Sequence, residues 1–122
     1  MDGPLVAVAE TRTFIEDAER VLSPAECFEL INHLAACPTA GDLIPGTGGV
    51  RKLRWAAKGK GKRSGARVIY YYHNDRLPLF LLTVYGKGEK ADLTAAERND
   101  FKGLVRVLID TYGSGSYAPT RR

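Results

Sequence analysis

The stretch Val50–Tyr72, VRKLRWAAKGKGKRSGARVIYYY, decides how this chain is read. Its two ends are runs of β-branched, aromatic and alternating residues, the pattern of strands. They predict strands near 50–56 and 66–73, joined by the glycine–lysine loop Lys58–Gly65. Between Arg51 and Arg67 lie eight basic residues (Arg51, Lys52, Arg54, Lys58, Lys60, Lys62, Arg63 and Arg67) and no acid. The whole chain has 18 basic and 14 acidic residues and a net charge of +4, so without this segment it would carry −4. Positive charge gathered in one place is what a surface for polyanions requires.

Alternation along a strand sorts these side chains onto faces. Lys52 and Arg54 share one face, while Arg51, Leu53 and Trp55 share the other. Arg67 lies with Ile69 and Tyr71, opposite Val68, Tyr70 and Tyr72. If the two strands pair across the loop, Lys52, Arg54 and Arg67 gather on one side of a sheet. Such a cluster binds phosphate through charge, and arginine adds a planar fork for bidentate contact. The same groups can stabilise the extra charge of a phosphorane-like transition state in RNA cleavage, and Tyr71 or a neighbouring tyrosine can stack on a base. Neither a pair of histidines nor an Asp/Glu metal cluster is legible, so cleavage here would run without a metal on Lys/Arg electrostatics. A lysine- and glycine-rich hairpin is also a common solvated loop, and a charged sheet edge guards against aggregation.

Outward from this core, a third strand is predicted near 78–85, after the turn His73-Asn74-Asp75-Arg76. Its run Leu79–Tyr85 is apolar on both faces, as for a central strand. Upstream, Val6–Ala9 predicts a first strand, and Thr13–Val21 a short helix with Phe14, Ile15, Ala18 and Val21 inward. Ser23-Pro24-Ala25-Glu26 opens the next helix with an N-cap serine, an N1 proline and a capping-box glutamate. Cys27, Leu30, Ile31 and Leu34 form its stripe, and Pro38 ends it. A second capping box, Thr94-Ala95-Ala96-Glu97, opens a last helix to about Thr111, with Phe101, Leu104, Val105 and Leu108 inward.

These elements predict one α+β domain over residues 1–112, with residues 113–122 a flexible tail. Its sheet is mostly antiparallel, of about four strands, with two N-terminal helices and one C-terminal helix. A chain of 122 residues holds one core. Apolar runs fall short of the roughly 20 residues that span a membrane. The N-terminus lacks the basic region of a secretion signal, so a cytoplasmic protein is expected. Cys27 and Cys37 would stand about 15 Å apart on a straight helix, too far for a bridge, and both are read as small buried hydrophobes. No cofactor or metal is expected.

The run Gly46–Trp55 (GTGGVRKLRW), continued by Lys58–Tyr72 (KGKGKRSGARVIYYY), closely resembles RelE/HigB-type toxins of bacterial type II toxin–antitoxin systems. Leu81–Thr94 (LLTVYGKGEKADLT) matches the closing strand and helix start of the same family. The resemblance covers roughly residues 5–110 and is greatest to the HigB-like branch of the RelE/ParE superfamily, with Ser64 where glycine is common. It implies a RelE-like fold and a ribosome-dependent mRNA interferase: an endoribonuclease that enters the A site of the 70S ribosome, cuts mRNA there and so inhibits translation. The partners implied are a cognate antitoxin, the ribosome and mRNA, with neither membrane nor metal. Carried over by position, Arg67 contacts the phosphate in the transition state, and Lys52, Arg54 and Lys87 complete the catalytic set. Lys90 is assigned to the same surface, and Lys58, Lys60, Lys62 and Arg63 to a grip on ribosomal RNA. Two departures stand out. Gly88 replaces the arginine that follows the Lys87 position in RelE, and Thr94 stands nearest the late catalytic tyrosine, so base stacking would pass to Tyr71 or Tyr85. The rival readings are a ParE-like inhibitor of DNA gyrase, which needs a functional C-terminal helix rather than Arg67, and a non-catalytic RNA-binding module.

Overall fold

Strand alternation and helix capping divide the chain into β1 (Val8–Glu10), α1 (Arg12–Val21), α2 (Pro24–Ala36), β2 (Asp42–Leu43), β3 (Val50–Trp55), β4 (Ala66–Tyr71), β5 (Leu79–Gly86) and α3 (Ala95–Tyr112). The computed structural model describes residues 5–56, 65–86, 88–90 and 92–113. The described strands form one sheet in the order β1-β5-β4-β3-β2. β1 runs parallel to β5, and every other pair is antiparallel. The molecule is thus an α+β fold with helices on both faces of a mixed sheet.

Both capping boxes close. The Ser23 hydroxyl accepts from the Glu26 backbone N–H at 3.1 Å, and the Glu26 carboxylate accepts from the Ser23 N–H at 2.8 Å. Thr94 and Glu97 repeat the arrangement at 3.1 and 2.8 Å. These bonds satisfy N–H groups that a helix start otherwise leaves open.

One face of the sheet packs on α1 and α2. Phe14, Leu30 and Leu34 are fully buried there against Val68, Tyr70, Leu79, Leu81 and Val84. The opposite face carries α3, whose Val105 is buried with Phe101, Leu108, Ile109 and Tyr112 packed beside it. Those side chains cover Ile44, Val50, Ile69, Tyr71, Phe80 and Leu82.

Several sequence expectations shift. The sheet has five strands rather than about four, because the two-residue β2 lies in a glycine-rich segment that carries no alternation. Ile15 is 44% and Leu104 36% exposed, so neither points inward. Leu104 precedes the buried Val105 by one position, about 100° around the helix, and Ile109 and Tyr112 take its place in the stripe. Cys37 is exposed and Cys27 half-buried, since Cys37 falls at the C-cap of α2, beyond its apolar stripe. Trp55 does face away from Lys52 but is only half-buried, and its indole N–H donates to the Glu26 carbonyl at 3.2 Å.

The GTGG motif is architectural. Thr47 is fully buried, its hydroxyl donating to the Ile44 carbonyl at 2.7 Å and accepting from the Val50 N–H at 3.0 Å. Gly49 then takes φ of +118°, and a Cβ there would stand 3.2 Å from the Tyr71 ring. Only glycine fits both demands. This knot sets where β3 begins, and therefore which residues of β3 face β4.

Tyr70 anchors the segment on the other side. Fully buried, its hydroxyl donates to the Pro38 carbonyl at 2.9 Å and accepts from the Gly41 N–H at 2.8 Å. Tyr70→Phe leaves both backbone groups without that partner. It is expected to lower stability by about 1–3 kcal/mol, read as a fall in the urea midpoint with unchanged slope.

Candidate nucleic-acid interface

The β3–β4 register places Arg54 opposite Arg67, and Lys52 opposite Ile69. The β4–β5 register adds Tyr85 opposite Arg67, and Thr83 opposite Ile69. Directly paired residues share a face, so Arg54, Arg67 and Tyr85 form one row across three strands. Lys52 stands in the next row. This is the α3 face of the sheet, at the end where Trp55, Ala66 and Gly86 close the ladders.

Like charges facing each other across a ladder are unfavourable. Here the arrangement is more acute, because Arg67 is only 8% exposed while Arg54 is exposed. Among the described residues, no carboxylate pairs with either arginine. A depression of about 260 Å³ opens beside them, lined by Arg54, Trp55, Ala56, Gly65 and Arg67. Two opposed guanidinium groups, one of them buried and neither with a counter-ion among the described residues, make a site that an anion relieves.

The lysines are held differently. Lys52 Nζ pairs with Asp92 at 3.5 Å, at the edge of a second depression of about 680 Å³ that also includes Arg98. The Asp92 carboxyl sits below the usual carboxylate range, first because it accepts the Leu93 N–H and then because of the Lys52 charge. Lys90 Nζ pairs with Glu97 at 2.5 Å and lies 4.9 Å from the centroid of the Tyr85 ring, a cation–π contact. Lys90 is the leading cause that holds the Glu97 carboxyl below its ordinary value, ahead of the Thr94 N–H.

Because the folded-state value is depressed, the stability contributed by Glu97 is complete above the range of a free glutamate and fades as pH falls through it. Glu97→Gln keeps an acceptor for the Thr94 N–H but loses the charge. At neutral pH it is expected to lower stability by well under about 1 kcal/mol, since the pair is partly exposed. That difference in urea midpoint should vanish in acid.

The structure brings together Lys52, Arg54 and Arg67, with Lys90 beside Tyr85. It does not bring Tyr71 to this surface. That ring is 4% exposed beneath α3, and its hydroxyl is hydrogen-bonded with His73 Nδ1 at 2.9 Å, so no base can stack on it. Tyr85 is equally unsuited to stacking at 3% exposure. Lys58, Lys60, Lys62, Arg63 and Lys87 lie outside the described residues. Sequence reasoning missed Asp92 and Glu97, the carboxylates that pair with Lys52 and Lys90. The segment KADLTAAE shows both acids, but not which lysines they meet.

Among the described residues, no helix is long and apolar enough to cross a membrane. No protein-family model matches the chain.

Proposed function

We propose that this chain is a RelE/HigB-type toxin of a type II toxin–antitoxin system, a ribosome-dependent endoribonuclease that cuts mRNA in the ribosomal A site. One observation carries the reading: the buried Arg67 faces Arg54 across the β3–β4 ladder, with no carboxylate paired to either among the described residues. That arrangement suits a phosphodiester, whose charge grows as it passes through a phosphorane. The 2′-hydroxyl oxygen attacks the adjacent phosphorus while the bond to the 5′-oxygen breaks. A 2′,3′-cyclic phosphate and a 5′-hydroxyl result, the proton lost by the nucleophile being balanced by the one the leaving oxygen gains. Arg67 and Arg54 stabilise the equatorial oxygens, and Lys52 adds charge from the next row.

Cleavage mapping with translating ribosomes, naked RNA and an Arg67→Ala control tests this. Cuts in the A-site codon that need both the ribosome and Arg67 support the proposal. Toxicity without cuts would move the assignment to gyrase, and salt-sensitive RNA binding without cuts or toxicity to a binding module.

A further inference from the structure

Tyr85 presents an anomaly that the fold does not explain. Its hydroxyl is buried and has no hydrogen-bond partner among the described residues. Buried tyrosine hydroxyls ordinarily find a partner, as Tyr70 and Tyr71 do here. A phenylalanine at this position would fill the same space without stranding a polar atom, so the hydroxyl is a net cost to the folded chain.

Its position is equally telling. Tyr85 is the third member of the row that begins at Arg54 and Arg67. Lys90 lies over its ring, and its hydroxyl feels the charges of Asp92, Arg67 and Glu97. Burial is the leading cause that raises its pKa above the ordinary phenol value, so the group stays protonated and keeps its hydrogen to donate. Arg67 stands directly across the ladder from it, and Lys90 Nζ sits 4.9 Å from the centroid of its ring. Among the described residues, neither this donor nor the buried Arg67 beside it has a partner, and a phosphate oxygen would supply an acceptor to both.

We infer that the Tyr85 hydroxyl is a phosphate-binding donor, which hydrogen-bonds a non-bridging oxygen of the phosphodiester held by Arg67. The inference rests on the proposed reading for the identity of the ligand, but it concerns binding rather than the cut. No proton leaves the tyrosine in this role, and ring stacking plays no part.

The test compares the full-length chain with Tyr85→Phe by three readouts. Urea denaturation reports stability. Fluorescence anisotropy reports affinity for a labelled 2′-O-methyl RNA, which this chemistry cannot cleave. Single-turnover cleavage on translating ribosomes reports activity. Tyr85→Phe should be at least as stable as the wild type, because the ring and its contact with Lys90 remain while the stranded hydroxyl goes. Affinity or cleavage rate, whichever the wild type shows, should fall by about 10- to 100-fold, the usual loss for a hydrogen bond to a charged group.

A clear loss of stability in the variant would mark the hydroxyl as structural and overturn the inference. Equal binding and equal cleavage by the two proteins would overturn it too, while leaving the interferase reading intact. No cleavage by either protein, with weaker binding by the variant, would overturn the interferase reading and leave the inference standing. A wild type that neither binds nor cuts removes both.

Discussion

Arg67→Ala is expected to reduce ribosome-dependent cleavage by at least about 10²–10³-fold, the usual loss when one preorganised donor to a developing oxyanion is removed. The row geometry gives the reason. Arg67 stands between Arg54 on one strand and Tyr85 on the next, so a phosphate bound at this end of the sheet meets its guanidinium centrally. Arg67→Lys restores the charge but not the planar fork, and should recover only part of the rate. Stability should change little, though not because the residue is exposed, since Arg67 is 8% accessible. Truncation loses the packing of its methylenes and at the same time relieves repulsion from Arg54, and the two oppose each other. The unfolding free energy from urea titration should stay within about 1 kcal/mol of the wild type. Equal cleavage by Arg67→Ala and the wild type would remove the proposed centre.

The largest loss of stability is expected at the opposite face. Phe14 is fully buried where α1 packs on the sheet, within the cluster that holds Leu30, Leu34, Leu79 and Leu81. Phe14→Ala leaves a cavity that rigid strands cannot collapse, and should cost about 3–5 kcal/mol. For a domain of this size that is a fall in Tm of roughly 10–20 °C, measurable by calorimetry. A fall of only a few degrees would mean that α1 closes over the gap, and that its packing on β5 is looser than described.

The capping boxes at Ser23 and Thr94 were legible because a helix start is a local event, fixed by residues three apart. The alternation in VRKLRW and ARVIYY was legible for the same kind of reason, and it sorted Lys52, Arg54 and Arg67 correctly by parity. Register was not legible, since it depends on the buried knot of Thr47 and the left-handed Gly49, whose effect appears only when β3 meets β4. The position of Tyr85 was hidden twice over. It depends on a second register, and on the irregularity between Ile69 and Tyr70 that shifts β4 against β5. Tyr71 was misplaced because its parity is that of Arg67, while α3 covers only its end of the face. Parity assigns a face, and the helix that lands there decides which part of it stays open.

The parallel pairing of Val8 with Leu79 has a consequence for how the chain is made. At ordinary synthesis rates the first strand emerges roughly 4–14 s before its partner exists. Until β5 is complete, β1 has no strand to pair with and α1 lacks the strand it chiefly packs on, so the nascent chain waits on its longest loop closure. The row Arg54–Arg67–Tyr85 is likewise finished only with β5. A chain stopped before residue 79 therefore carries 11 of the 18 basic residues, the whole Arg51–Arg67 cluster among them, but not the completed row: the cationic segment is made well before the surface that would use it.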